Sequence, residues 1–255
     1  MSFERIAPVA VPVVLLALWE FACAAFDIPP FVLPSPGLIA KAIYDNAYII
    51  WFHASQTLIT TMIGFALAVA FGTALGVLVG SSRLAYSSLY PMLVGFNSVP
   101  KVAIVPILVV WFGIGTVPAV ITAFMLSFFP IAVNVATGLA TVEPELRDVL
   151  RSLGASTLDI VRKVGIPRSM PYLFASLKIS ITLAFVGSVI SETLASNRGI
   201  GTLMTQASAN FKIPLVFAGL AVIAALGVAM YMVFAYVEKR MTGWATRSTT
   251  FGVGG

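Results

Sequence analysis

The sequence predicts an all-α, polytopic membrane protein with six transmembrane helices, and three observations carry that expectation. Of 255 residues, 59% are hydrophobic and only 10% charged, with a mean hydropathy of +1.00; a soluble chain of this length needs far more polar side chains to cover its surface. The apolar residues gather into runs of about 20, the length an α-helix needs to cross roughly 30 Å of hydrocarbon. The excess of 15 Lys and Arg over 10 Asp and Glu is modest and unevenly spread. That distribution suits the positive-inside rule and not a nucleic-acid-binding surface. The single cysteine, Cys23, excludes an internal disulfide and a cysteine-based metal cluster.

The elements follow in order. Residues 1–54 hold a first span, Ile6–Phe26, interrupted only by Glu20, and then an external segment rich in proline. A cleaved signal peptide is the alternative for the first run, with Arg5 ahead of it and Ala22, Ala24 and Ala25 behind; the run is long for that, and Glu20 interrupts it. Pro29, Pro30, Pro34 and Pro36 favour an extended path across Asp27–Ser55, broken by a short helix near Leu38–Tyr48. Residues 55–240 hold five further spans: Leu58–Gly80, Leu84–Gly113, Val117–Ala140, Tyr172–Ala195 and Pro214–Val237. The third span of the six is broken by Pro91, Pro100, Lys101 and Pro106. Gly72, Gly76 and Gly80 repeat every four residues, spacing that lets helices approach closely. Residues 241–255 are Thr/Gly-rich and read as a flexible cytoplasmic tail.

Basic residues set the orientation. With six spans, Arg5, Arg83, Arg147, Arg151, Arg162, Lys163, Arg168, Lys239, Arg240 and Arg247 fall on one side, and only Lys41, Arg198 and Lys212 on the other. The richer side is cytoplasmic, which puts both termini there. Lys178 is expected to snorkel to the same side.

The cytoplasmic segment Glu145–Pro167, ELRDVLRSLGASTLDIVRKVGIP, carries four Arg/Lys and three Asp/Glu. Leu146, Val149, Leu150 and Leu153 recur at i, i+3, i+4 and i+7, one apolar face of a helix. Arg147, Asp148, Arg151 and Ser152 occupy the other side. Pro144 suits the first helical position and Gly154 a left-handed stop. Ser156 and Asp159 resemble a capping box, opening a second short helix over Thr157–Val164 that stops at Gly165-Ile166-Pro167. An amphipathic hairpin lying on lipid headgroups would carry mostly basic residues on its polar face. Here acids and bases are interleaved, which suits a protein groove better.

The same run, with Leu-Gly-Ala-Ser at 153–156 and Ile-Pro at 166–167, resembles the cytoplasmic signature of bacterial ABC importer permeases. NSVPKVAIVPILVVWFGIG (97–115), FFPIAVNVATGL (128–139) and the pair Ser191–Glu192 resemble the nitrate/sulfonate/taurine branch. The likeness runs from about Leu33 to Val237. The signature's Glu-Ala-Ala triplet reads Asp148-Val149-Leu150 here, so contacts of those three residues do not transfer in detail. The resemblance implies a type I importer permease fold with cytoplasmic coupling helices near 143–165. It implies a non-catalytic inner-membrane subunit that pairs with a second copy. Two cytoplasmic ABC ATPase subunits would carry ATP and Mg, and an external binding protein would deliver solute. Leu146, Arg147, Asp148, Val149, Leu150, Arg151, Leu153, Gly154, Ala155 and Ser156 would dock the ATPase. The solute would be small and anionic, such as nitrate, a sulfonate or taurine. No cofactor or metal is expected on this chain.

Candidates for the translocation pathway centre on the broken third span. Lys101 lies about 18 Å inward from Gly113 along a helix. At that depth a lysine is costly and is a functional candidate, through attraction of an anionic substrate. Snorkelling to the cytoplasmic face, or packing on a second subunit, is the alternative. Asn97, Ser98 and Asn134 are further, weaker candidates, since buried amides often simply join helices. Glu192, at the outer end of the fifth span, suits an interface or gate. Lone His53 reads as structural. An ion-gradient-driven secondary transporter would favour intramembrane acids placed as coupling sites, and inverted repeats. An intramembrane enzyme would need paired catalytic groups.

Overall fold

The computed structural model describes residues 3–141 and 144–242, and the regular structure among them is helical. The helices are α1 (Phe3–Ala25), α2 (Pro36–Asp45), α3 (Ala47–Gly80), α4 (Arg83–Asn97), α5 (Val105–Phe112), α6 (Thr116–Ala140), α7 (Pro144–Ser152), α8 (Thr157–Ile160), α9 (Ile166–Ala195), α10 (Ile200–Ala209) and α11 (Ile213–Thr242). A 3₁₀ turn, Lys101–Ile104, precedes α5, and a π turn, Val161–Gly165, joins α8 to α9. The expected tail lies outside the described residues beyond position 242.

Helix α6 sits between α3 and α9. The α3 face toward α6 is a ladder of small residues: Gly64, Ala68, Gly72, Gly76 and Gly80. A Cβ built on each of the four glycines would stand only 2.6–2.7 Å from an atom of α6. The side chains are therefore absent where the backbones touch, the packing by which apolar helices associate in lipid. The facing residues, Ala123, Phe128, Ala132 and Leu139, rise in step with the glycines, so α3 and α6 run parallel. On the other flank Gly187 abuts Thr122 and Gly138 abuts Ser169, so α9 is antiparallel to α6. Phe65, Ile131, Val135, Ile181, Phe185 and Met230 fill the core between α3, α6, α9 and α11. A second apolar core joins Ile39, Ile50, Leu203 and Ala218.

Because α3 and α6 are parallel, the chain between them must return across the bundle. It does so through α4, the 3₁₀ turn and α5. Gly80 packs at the Leu139 end of α6, and the Gly115 N–H reaches the Ala195 carbonyl at the other end (3.1 Å). Helices α4 and α5 are bent by 71°. The break expected within Leu84–Gly113 is thus a sharp bend between Asn97 and Lys101. Pro100 caps the turn and Pro106 opens α5; neither offers an N–H to a continuing ladder.

Among the described residues four helices are long and apolar enough to cross a membrane, and the bent pair, taken as one span, brings the number to five. The first expected span, Ile6–Phe26, corresponds to α1, a helix of 23 residues over Phe3–Ala25. Other boundaries move as well. Helix α3 begins at Ala47, eleven residues ahead of the expected Leu58, and the expected helix Leu38–Tyr48 is Pro36–Asp45, started by a Ser35 cap and Pro36. The predicted stop at Gly165-Ile166-Pro167 does not occur. The Ile166 N–H bonds back five residues to Val161, and this wider turn lets the helix run on past Pro167. Leu158–Ala195 is one helical rod of 38 residues. Glu20 has partners that its own span does not reveal: it accepts from Ser35 Oγ (2.8 Å) and the Gly37 N–H (2.7 Å), and so caps α2.

Candidate functional site

Helix α7 forms where an amphipathic stripe follows Pro144, and it ends in a Schellman motif. The Ala155 N–H reaches Leu150 O (3.0 Å), the Gly154 N–H reaches Arg151 O (2.9 Å), and Gly154 has φ +84°. The next turn is a reciprocal cap. The Asp159 N–H donates to Ser156 Oγ (3.2 Å), while the Ser156 N–H donates to Asp159 Oδ2 (3.3 Å). Lys163 adds an i,i+4 ion pair to Asp159 at 3.3 Å. These locally closed bonds give the α7–α8 corner a defined shape without help from the bundle.

Part of the apolar face of that corner is uncovered. Val149 is 55% exposed, Leu153 79% and Leu158 75%, while Leu146, Leu150 and Ala155 are half-buried. Asp148, Arg151, Gly154 and Ser156 are exposed around them. Arg147 lies on α7, and its side chain is outside the described residues. Sequence reasoning missed Leu158. It sits in the first turn after the Ser156 cap and is exposed, as Leu153 is.

The structure brings Asn97, Ser98 and Lys101 together at the bend. Asn97 and Ser98 are exposed. Lys101 is only 8% exposed, and its Nζ donates to Asn97 Oδ1 (2.8 Å) and Asn97 O (3.0 Å). The ammonium therefore satisfies the C-terminal end of α4 where the helical ladder stops. Its position also puts it 6.0 Å from the Phe96 ring centroid. Asn134 stands on α6, half-buried, and donates to Pro130 O on its own helix (2.8 Å).

Glu192 belongs to another cluster. It is 1% exposed. Its carboxylate accepts from Thr57 Oγ1 (2.8 Å), Thr60 Oγ1 (3.3 Å) and the Gly201 N–H (3.3 Å). Thr60 is in turn hydrogen-bonded to Ser188. His53 Nδ1 meets the backbone of Gly199, 2.9 Å from its carbonyl oxygen and 3.1 Å from its nitrogen. The α3 partners, Thr57 and Thr60, lie more than 130 residues from Glu192, so no local spacing announces them. At the opposite end, Lys178 pairs with Glu238 across α9 and α11. No group of three or more His, Cys, Asp or Glu suited to a metal occurs among the described residues.

Residues 68–243 match the family model described as "binding-protein-dependent transport system inner membrane component". A probable ABC transporter permease of Haemophilus influenzae is 28% identical, over 91% of this chain and 94% of its own. A riboflavin transport system permease of Chloroflexus aurantiacus is 30% identical (90% and 87%). A taurine transport system permease of Escherichia coli is 27% identical (91% and 86%). An inward-facing structure of the MetNI methionine ABC transporter is similar in fold, with TM-score 0.61 at 17% identity over 82% of this chain and 99% of that one.

Proposed function

The chain belongs to the binding-protein-dependent transport system inner membrane components, and from that premise we propose that α7 and α8 are its seat for a cytoplasmic ATPase. It is a multi-pass permease of the inner membrane, the membrane component of an ABC importer. One observation carries the docking reading: the α7–α8 corner, closed by a Schellman stop and a reciprocal cap, leaves Val149, Leu153 and Leu158 exposed. Apolar side chains ringed by Asp148, Arg151, Asp159 and Lys163 match a protein cleft with an apolar floor and charged rim. A lipid surface would favour an all-basic rim.

In this reading two ATPase subunits bind ATP and Mg and perform the hydrolysis, and this chain performs none. It pairs with a second copy, keeps both termini in the cytoplasm, and receives solute from an external binding protein. Closure of the ATPases displaces the α7–α8 corner, and the bundle switches between two arrangements. The pathway passes the bend of α4 and α5. Non-helical backbone at membrane depth is tolerated where it lines a cavity or packs on protein. Asn97, Ser98 and Lys101 stand at that bend, with Asn134 on the neighbouring α6. A small anion of the sulfonate or taurine class fits a lysine placed there, and the taurine permease relative supports it.

The test is co-purification with the cognate ATPase, followed by taurine uptake in proteoliposomes with the binding protein present. Gly154→Pro and Leu150→Asp should each lose the ATPase from the purified complex and lose uptake. Normal ATPase recovery in both variants contradicts docking through this corner.

A further inference from the structure

The rod from Leu158 to Ala195 spans 38 residues, about 57 Å at 1.5 Å per residue. One end belongs to the α7–α8 corner. The other end carries Glu192, and there α9 is tied to two other elements. Thr57 and Thr60 of α3 hold the carboxylate, and the Gly201 N–H binds it at the first turn of α10. Thr57 also accepts the Ile200 N–H (2.9 Å), and Thr202 Oγ1 donates to the Glu192 backbone carbonyl (3.0 Å). Gly199 has φ +120°, and a Cβ there would fall 2.1 Å from the Glu192 carboxyl carbon, so the loop closes over the carboxylate only with glycine. Helix α10 in turn packs on α11 through the second core, where Leu203 meets Ala218.

A carboxylate sealed from water is costly to strip of its donors. Separating these bonded groups therefore costs more than separating apolar helix faces in lipid. We infer that Glu192 is a positioning residue for transport: it carries a displacement of α9, applied at the α7–α8 corner, to α10 and the start of α3 at the opposite end of the bundle. The inference rests on the ATPase docking proposed above, and it assigns Glu192 to force transmission instead of solute contact.

The test uses the permease–ATPase complex in nanodiscs, with Cys23→Ala as background. A nitroxide is placed singly at Ser152→Cys on α7 or Ser208→Cys on α10, both exposed. Spectra are compared without nucleotide and with ATP, Mg and vanadate. In the parent both labels should change mobility. In Glu192→Ala the Ser152 label should respond as before and the Ser208 response should fall at least fivefold. Glu192→Gln, which keeps an acceptor oxygen for Thr57, should retain most of it. A structural defect alone would weaken both responses together. Should Glu192→Ala fail to fold, Thr57→Val removes the shortest bond to the carboxylate together with the Ile200 N–H contact, and should lower the Ser208 response while leaving the Ser152 response intact. A full Ser208 response in the folded variant overturns the proposal, as does a parent in which Ser152 responds and Ser208 does not. A parent in which Ser152 is silent and the ATPase does not co-purify overturns the docking reading instead.

Discussion

Placing a valine at Gly76 tests the contact that organises the bundle. A Cβ at that position would stand 2.7 Å from the Ala132 carbonyl oxygen and 2.7 Å from Val135 Cβ. Carbon atoms pack at about 3.5–4.0 Å, so α3 and α6 would have to part by roughly 1 Å over a turn, and two more methyl carbons would follow the first. Overpacking of this kind costs about 1–3 kcal/mol. The better helix propensity of valine over glycine returns a few tenths of a kcal/mol, leaving a net loss of about 2 kcal/mol. For a chain of this size that corresponds to a fall in Tm of roughly 4–8 °C. The control is Gly95→Ala on α4, where nothing lies within 4 Å of the added carbon. With no clash to offset it, the propensity gain of up to about 1 kcal/mol should leave Tm unchanged or slightly raised. The assay is thermal unfolding of the detergent-purified protein, followed by tryptophan fluorescence. Equal Tm values for Gly76→Val and the parent, or an equal drop in both variants, would refute the ladder as the α3–α6 contact.

Three further outcomes follow. Lys178→Ala and Glu238→Ala should each destabilise the protein, and the double variant should lose less than their sum, with a coupling of about 0.5–1 kcal/mol in a double-mutant cycle; strict additivity contradicts the α9–α11 ion pair. Glu20→Ala frees Ser35 and the Gly37 N–H, so hydrogen exchange over 36–45 should quicken while the rest of the chain holds its protection, and unchanged exchange there contradicts the cap. Lys101→Met should leave ATPase co-purification intact and lower uptake of the proposed sulfonate-class solute at least tenfold; undiminished uptake removes Lys101 from the pathway.

Local chemistry was the most readable layer of the sequence. Gly154 and the Ser156–Asp159 cap are decided by backbone bonds within a few residues, so their types and spacing predict them. Apolar runs likewise found α6, α9 and α11, whose burial depends on length and hydropathy. Boundaries set by tertiary contacts did not show. Helix α3 starts early because Ile50 joins a core with Leu203 and Ala218, residues more than 150 positions away. Helix α10 went unnoticed although Ile200, Leu203, Met204 and Ala207 repeat at helical spacing, because Gly199 and Gly201 disguise its start. Pro167 reads as a stop in any local rule, and only the π turn over Val161–Gly165, with Gly165 set against Leu139, shows how the helix passes it. Glu192 was visible as an oddity in an apolar run. Its meaning lay in Thr57, Thr60 and Gly201, which no spacing connects to it.

The most direct measurement is the affinity of the purified permease for its cognate ATPase, with Leu153→Asp/Leu158→Asp set against Phe211→Asp, an equally exposed apolar residue beyond α10. A few central residues carry most of an interface's energy, and an aspartate in a desolvated apolar contact adds the cost of an unpaired buried charge, so the double variant should bind at least tenfold more weakly while Phe211→Asp binds like the parent. Parental affinity in the double variant would contradict the account.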